Sequence, residues 1–111
     1  IPNISDKRVL FVKGLYQNTL SDFLKNVKID GQLIINMDAD LYSSTLYALC
    51  NLNHVIKKGT IILFDEFSSV LHESRAFEDY IVSNLRDYEV LCTTNLHPES
   101  YFNEIAIRIT K

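Results

Sequence analysis

The chain contains few residues of the kinds that interrupt or cross-link a fold. Its 111 residues include three glycines, two prolines, two cysteines and no tryptophan. This composition leaves no flexible linker, and the length suits one small domain. Because neither cysteine belongs to a C-x-x-C pair, we expect Cys50 and Cys92 to be buried free thiols rather than a disulfide or a metal site, which favours a cytoplasmic protein.

Two further absences exclude classes of partner. The 11 basic residues do not outnumber the 14 acidic ones, and no basic stripe with interleaved aromatic residues occurs, so we expect no nucleic-acid partner. There is no run of about eighteen apolar residues and no signal-peptide pattern in residues 1–8, so we also expect no membrane partner. A content of 47% hydrophobic and 23% charged residues is typical of a globular protein.

Two apolar runs that each end in acidic residues are the most informative segments. Residues 33–37 precede Asp38 and Asp40, and residues 61–64 precede Asp65 and Glu66. Each run has the length of a strand and is rich in β-branched residues, which predicts strands that are covered on both faces and belong to a parallel sheet.

A helix is predicted between the two runs, over residues 44–56, where apolar residues recur near helical spacing. Ser43 or Ser44 is its expected N-cap, and Gly59 is its expected end. Strand, helix and strand form a βαβ unit with a right-handed connection. Both strands then end at the same edge of the sheet, which is where open α/β folds bind ligands.

The acidic residues should meet at that edge, because neighbouring strands are only about 4.8 Å apart. The repulsion among Asp38, Asp65 and Glu66 requires a shared proton, a basic partner or a bound cation. Oxygen ligands suit Mg²⁺, Mn²⁺ or Ca²⁺, so we predict a metal site. The alternative that Asp40 and Glu66 are solvated or cap a turn stays open. Asp40 either completes the metal shell or accepts backbone N–H bonds.

The remaining segments continue the α/β alternation. The patterns predict a strand at 8–12, a helix at 20–27, a helix at 73–85, and two late strands at 88–92 and 104–109 that pair as a hairpin. The loop before the third helix contains Ser68, Ser69 and His72 and should overhang the acidic edge.

Several side chains have both a structural and a functional interpretation. Tyr42 either lines a substrate pocket or bonds locally through its hydroxyl. His72 is expected to be a solvated loop residue, with a role as substrate ligand or base as the alternative. Glu73 is expected to favour the positive end of its helix. His54 and His97 need no functional role.

The stretch Asp38-Ala39-Asp40-Leu41-Tyr42-Ser43-Ser44-Thr45, followed by Asp65 and Glu66 27 residues after Asp38, resembles the macrocin O-methyltransferase family. These are class I S-adenosylmethionine-dependent enzymes that methylate sugar hydroxyls of antibiotics and related small molecules. Residues 11–14 and Thr19-Leu20 resemble the segment after the family's third strand. The resemblance implies an α/β, Rossmann-like methyltransferase fold, with a mostly parallel sheet and a closing antiparallel strand.

The resemblance also implies roles for individual residues. Asp38, Asp65 and Glu66 would hold a divalent metal, Mg²⁺ or Mn²⁺, and Asp38 would also be the general base. Tyr16 and Gln17 correspond to the turn that contacts the adenine of S-adenosylmethionine. The family more often has Asp where Glu66 stands, and Glu reaches one methylene further.

The Gly-rich turn that holds the cofactor in class I methyltransferases has no counterpart among these 111 residues. The resemblance therefore implies that the chain is the carboxy-terminal half of a methyltransferase domain. In the family's sheet order, the two missing strands would lie between the strand at 8–12 and the strand at 33–37. We expect little turnover from this chain alone, and we expect it to join a missing N-terminal half or to form a homo-oligomer.

Two rival functions follow from the same residues. Asp38-Ala39-Asp40 also resembles the Asp-x-Asp motif with which nucleotide-sugar glycosyltransferases bind Mn²⁺ and a diphosphate. A methyltransferase-like half without catalysis, serving as an interaction module, is the second rival, because an incomplete sheet exposes apolar surface.

Overall fold

Residues 1–67, 72–94 and 104–111 are described by the structure, which is a computed structural model. Helices and strands alternate along most of the chain, which confirms the α/β class. The elements are α1 (Tyr16–Asn26), β1 (Ile34–Met37), α2 (Tyr42–Leu52), β2 (Ile61–Phe64), α3 (Glu73–Ser83), β3 (Tyr88–Thr93) and β4 (Ile105–Ile109).

The four strands form one sheet in the order β1-β2-β4-β3. β1 and β2 are parallel neighbours, as the βαβ unit predicts, with Met37 opposite Phe64. β4 is antiparallel to both β2 and β3. The predicted hairpin of the two late strands is thus confirmed, but the prediction of a mostly parallel sheet is wrong. β4, the second strand of the hairpin, lies between β2 and β3. The sheet therefore contains one parallel pair and two antiparallel pairs of strands and is mixed.

The core lies on the face of the sheet that α2 and α3 cover. Strand residues such as Ile62, Phe64 and Ile107 are buried there against Leu49 and Phe77. The Phe77 ring lies edge-on to the ring of Phe64, with 5.1 Å between centroids. Alternate strand positions contribute to this core, because successive side chains of a strand point to opposite faces.

The opposite face is less covered than the sequence predicts. Ile34 on β1 is 58% exposed, and Leu63 on β2 is 37% exposed. The expectation that both strands are covered on both faces is therefore wrong for the described residues, where the helix layer lies on one side. We call this second side, which contains Ile34, Asn36, Leu63, Ala106 and Arg108, the open face.

Residues 8–12 do not form the predicted strand. A strand needs a neighbour to complete its hydrogen-bond ladder, and this segment has none in the described part of the chain. Its apolar side chains are exposed, namely Val9, Leu10, Phe11 and Val12. The helix predicted at 20–27 is present as α1, but it begins earlier, at Tyr16.

The boundaries of α2 differ from the prediction at both ends. The helix begins at Tyr42 with Leu41 as its N-cap, so Ser43 and Ser44 lie inside it. It ends at Leu52 rather than near Gly59. The glycine, with φ of 98°, belongs instead to the turn before β2, where its N–H donates to the Ile109 carbonyl at 2.7 Å.

Both cysteines are free thiols, and both are exposed, which corrects the prediction of burial. Cys92 lies on β3, an edge strand of the described sheet on which all six residues are exposed. Helix α3 is confirmed, although it ends at Ser83. No helix among the described residues is long and apolar enough to cross a membrane.

Candidate active site at the carboxyl ends of β1 and β2

The structure brings the two acidic turns to the same edge of the sheet. Asp38 follows Met37 and Asp65 follows Phe64, and these two preceding residues are paired in the parallel register. The Asp65 N–H donates to the Met37 carbonyl oxygen at 3.3 Å, which continues the ladder one residue past β2. The adjacency that the sequence predicts for the two strands is therefore present.

The three predicted metal ligands lie at this edge with different exposure. Asp38 and Asp65 are exposed, whereas Glu66 is half-buried. Within residues 1–67, 72–94 and 104–111, no three His, Cys, Asp or Glu side chains form a group that could hold a metal ion. The donor chemistry suits a hard divalent cation, but the carboxylates are not gathered around one point in the described structure.

The turn after β1 has an unusual backbone. Asp40 has φ of 61°, in the left-handed region that Asp tolerates better than most residues. The Leu41 N–H donates to the Ala39 carbonyl at 2.7 Å, which tightens the turn. An aspartate at position 40 thus has a conformational reason to be there, separate from any role as a ligand.

Glu73 is the residue that sequence reasoning missed at this site. It was expected to act on the helix dipole, but its side chain is fully buried. Its Oε1 accepts a hydrogen bond from the Glu66 N–H at 2.9 Å. Burial raises the pKa of Glu73, and the backbone N–H groups of Glu66, Asp40 and Ala39 oppose that shift. The short spacing from Glu66 to the start of a predicted helix is the signal that could have located it.

Two buried side-chain oxygens near the starts of α2 and α3 lack hydrogen-bond partners among the described residues. They are Thr45 Oγ1, in the first turn of α2, and Glu73 Oε2. Buried polar atoms are usually paired. These orphan oxygens show that the polar arrangement beside the acidic edge is not fully satisfied by the described chain.

Tyr42 bonds through its hydroxyl to the neighbouring helix α3 rather than locally, and its role in a substrate pocket stays a prediction. Its hydroxyl donates to Asp79 Oδ2 at 2.6 Å, and Arg75 lies 3.3 Å from the same carboxylate. The Tyr42 hydroxyl and, less strongly, Arg75 hold the pKa of Asp79 below its usual value, while the pKa of Tyr42 is raised mainly by this hydrogen bond. The contact joins the first turn of α2 to α3.

The two residues predicted to contact the cofactor, Tyr16 and Gln17, come earlier in the sequence than both acidic turns. Tyr16 and Gln17 form the first turn of α1 rather than a turn before it, and both are exposed. The Gln17 carbonyl accepts a bond from the Tyr47 hydroxyl at 3.5 Å. An exposed aromatic ring such as Tyr16 can stack on a planar base, so the residue type fits an adenine contact.

A cavity of about 290 Å³ opens on the open face beside Asp65. Its lining includes Asn36, Leu63, Cys92 and Glu104. Its volume lies just below the usual range for small-molecule pockets, about 300–1,000 Å³. It places a concave surface of mixed polarity next to one of the predicted metal ligands.

The structure describes two of the three histidines and only part of the loop that was predicted to overhang the acidic edge. His72 is exposed and immediately precedes α3, and His54 is exposed after α2. Ser68 and Ser69 of the predicted overhanging loop lie outside the described residues, as does His97.

Comparison with known families gives one match. The family described as Macrocin-O-methyltransferase (TylF) matches residues 3–89, which is more than half of the chain and includes both acidic turns. Comparisons with curated proteins and with solved structures give no match. The chain therefore belongs to the macrocin-O-methyltransferase family, a family of O-methyltransferases.

Proposed function

We propose that this chain is part of an enzyme that transfers a methyl group from S-adenosylmethionine to a hydroxyl of a small molecule of the sugar or natural-product type. The observation that carries the proposal is the family match over residues 3–89. The parallel pairing of β1 and β2 supports it, because it puts both acidic turns of the matched region at one ligand-binding edge.

Asp38, Asp65 and Glu66 are the residues proposed to hold a divalent cation, Mg²⁺ or Mn²⁺. When bound, such a cation would supply Lewis-acid chemistry, which makes the loss of the substrate's hydroxyl proton easier. The oxygen-only donor set and the exposure of Asp38 and Asp65 support this assignment.

Asp38 is proposed to accept the proton of the substrate hydroxyl. The hydroxyl oxygen then forms a bond to the methyl carbon, the bond between that carbon and the sulfonium sulfur breaks, and its electron pair stays on sulfur. Alignment of the two reacting atoms supplies much of the acceleration in such a transfer. Tyr16 and Gln17 are proposed to contact the adenine.

We further propose that the chain is the carboxy-terminal part of a Rossmann-like methyltransferase domain. Three observations support this proposal: one edge of β1 pairs with no other strand among the described residues, Ile34 is exposed, and so is the apolar segment at 9–12. Uncovered strand edges with apolar side chains favour further pairing. The cytoplasmic location, suggested by the cysteines, stays a prediction.

The test uses the complete protein that carries this chain. Calorimetry should detect binding of S-adenosylhomocysteine, and a panel of hydroxylated small molecules should include an acceptor whose methylation stops when EDTA removes the metal and resumes with Mg²⁺. Asp38→Asn should lower kcat/KM by about 100-fold or more, since it removes both a ligand and the base.

Asp30→Asn is the matched control, because Asp30 is exposed and precedes the opposite end of β1. It should leave activity unchanged. Binding of a nucleotide diphosphate in place of S-adenosylhomocysteine would favour the glycosyltransferase alternative, and binding of neither would favour the interaction module.

A further inference from the structure

Among the described residues, Glu73 is the only charged side chain that is buried, with no measurable exposure. It lies between the two acidic turns. Its Oε1 accepts the Glu66 N–H bond from the turn after β2. The N–H groups of Ala39 and Asp40, in the turn after β1, also stabilise its carboxylate. One side chain from α3 thus interacts with the backbone of both turns.

A purely stabilising role does not account for this placement. Burying a carboxyl group is costly unless it is well bonded, and Glu73 Oε2 has no hydrogen-bond partner among the described residues. The negative charge of Asp38 adds repulsion. An exposed glutamate in the first turn of α3 would favour the helix dipole equally well without these costs. Costly polar placements of this kind concentrate at functional sites.

We propose that Glu73 is a positioning residue that holds the turn after β1 against the turn after β2, and so sets the position of Asp38 relative to Glu66. The inference rests on the proposed metal site. It extends that site by a residue that bonds to the backbone of a ligand-bearing turn rather than to the cation. Residues that orient metal ligands in this way contribute strongly to metal affinity.

The first experiment measures Mg²⁺ and Mn²⁺ affinity by calorimetry in the complete protein. Glu73→Ala should weaken binding by about 10- to 100-fold, the usual effect of losing such a partner. Glu73→Gln should weaken it less, because the amide oxygen can still accept the Glu66 N–H bond. Glu78→Gln, an exposed position on the same helix, is the control and should bind the metal as the unaltered protein does.

The second experiment needs no metal and follows amide hydrogen exchange in folded protein. Glu73→Ala should speed exchange at Asp40 and Glu66, in both turns, while exchange at the β4 residue Ile107 stays unchanged. Glu73→Gln should speed exchange in the turns less, because a neutral amide oxygen accepts hydrogen bonds more weakly than a carboxylate does. A folded Glu73→Ala or Glu73→Gln variant with unchanged exchange in either turn overturns the inference. So does unchanged metal affinity in both variants.

Failure of the proposed function would give different results from failure of the inference about Glu73. If the unaltered protein binds no metal, or if Asp38→Asn binds it as well as the unaltered protein, the metal assignment is wrong, while the exchange experiment still decides whether Glu73 holds the two turns. Circular dichroism confirms that each variant is folded at the temperature of measurement. Should Glu73→Ala not fold, Glu73→Gln carries both tests.

Discussion

Ile62 and Leu63 are adjacent on β2 and equally apolar, yet Ile62 is completely buried and Leu63 is 37% exposed. The difference is the face of the sheet on which each lies. The covered face packs against α2 and α3, whereas the open face has no helix layer in the described part of the chain. Two residues of similar hydrophobicity therefore contribute differently to stability, because burial and not residue type determines the contribution.

The acidic edge lies where these two faces meet. Glu73 approaches it from the helix layer on the covered side, and the cavity beside Asp65 opens on the open face. The covered side thus supplies rigid support for the turns. The open face supplies the accessible surface beside them, so the two sides have separate roles in the proposed site.

The sharpest way to test the comparison uses one residue type on both sides. Ile107→Ala, in the core, should lower the free energy of unfolding by about 2–5 kcal/mol. Ile34→Ala, at a position that is 58% exposed, should lower it by less than about 1 kcal/mol. Urea denaturation of the 111-residue chain measures both. Equal losses would contradict the assignment of Ile34 to an uncovered edge.

A second, smaller effect compares two arginines. Arg86 donates to the Asn53 and Ile56 carbonyls at 2.9 and 2.7 Å, next to the end of α2. Arg86→Ala should cost about 2 kcal/mol, because these half-buried acceptors lose a charged donor. Arg108 pairs with Glu89 on the exposed side at 2.8 Å, and Arg108→Ala should cost less than about 1 kcal/mol.

Both arginine variants can be measured in the same urea titrations. The comparison fails if Arg108→Ala is the more destabilising of the two. Such a result would mean that the ion pair on the open face is protected from solvent, which the exposure of its two side chains does not predict.

The smallest effect concerns Tyr42 and depends on pH. Its hydrogen bond lowers the pKa of Asp79 in the folded protein. The stabilisation is therefore present above the unfolded pKa, which is about 3.9, and is lost as the pH falls through the lower folded pKa. The difference in unfolding free energy between unaltered protein and Tyr42→Phe should narrow below about pH 4.

Tyr47→Phe provides the control for this titration. The Tyr47 hydroxyl bonds to the Gln17 carbonyl, which does not ionise in this range. The change in the free energy of unfolding caused by Tyr47→Phe should be independent of pH. A Tyr42→Phe difference that stays constant down to about pH 3 would show that Asp79 is not the partner that matters.

The sequence predicted local elements well where the hydrophobic period was clear. Residues 33–37 and 61–64 could be identified as strands because they are short, β-branched runs, and α3 because its apolar residues recur at helical spacing. Residues 8–12 have the same composition as these strands and were predicted wrongly. Composition favours an extended backbone, but a strand also needs a neighbour with which to bond.

The start of α2 shows a second limit. Ser43 and Ser44 are good N-cap residues, but the left-handed backbone at Asp40 turns the chain early enough for the helix to begin at Tyr42. Local preferences of about 1 kcal/mol are easily outweighed by the geometry of a turn that the surrounding sheet and helices fix. The mixed sheet also follows from the position of β4 between β2 and β3, which the sequence does not specify.

The sequence by itself determined the α/β class, the parallel βαβ unit, the family resemblance and the identity of the three candidate carboxylates. It could do so because periodicity and short motifs are local properties of the chain. Only the tertiary structure decided which face of the sheet is covered, that the cysteines are exposed, and that Glu73 is buried between the two acidic turns. These features depend on contacts between residues far apart in sequence, and such contacts leave no local pattern.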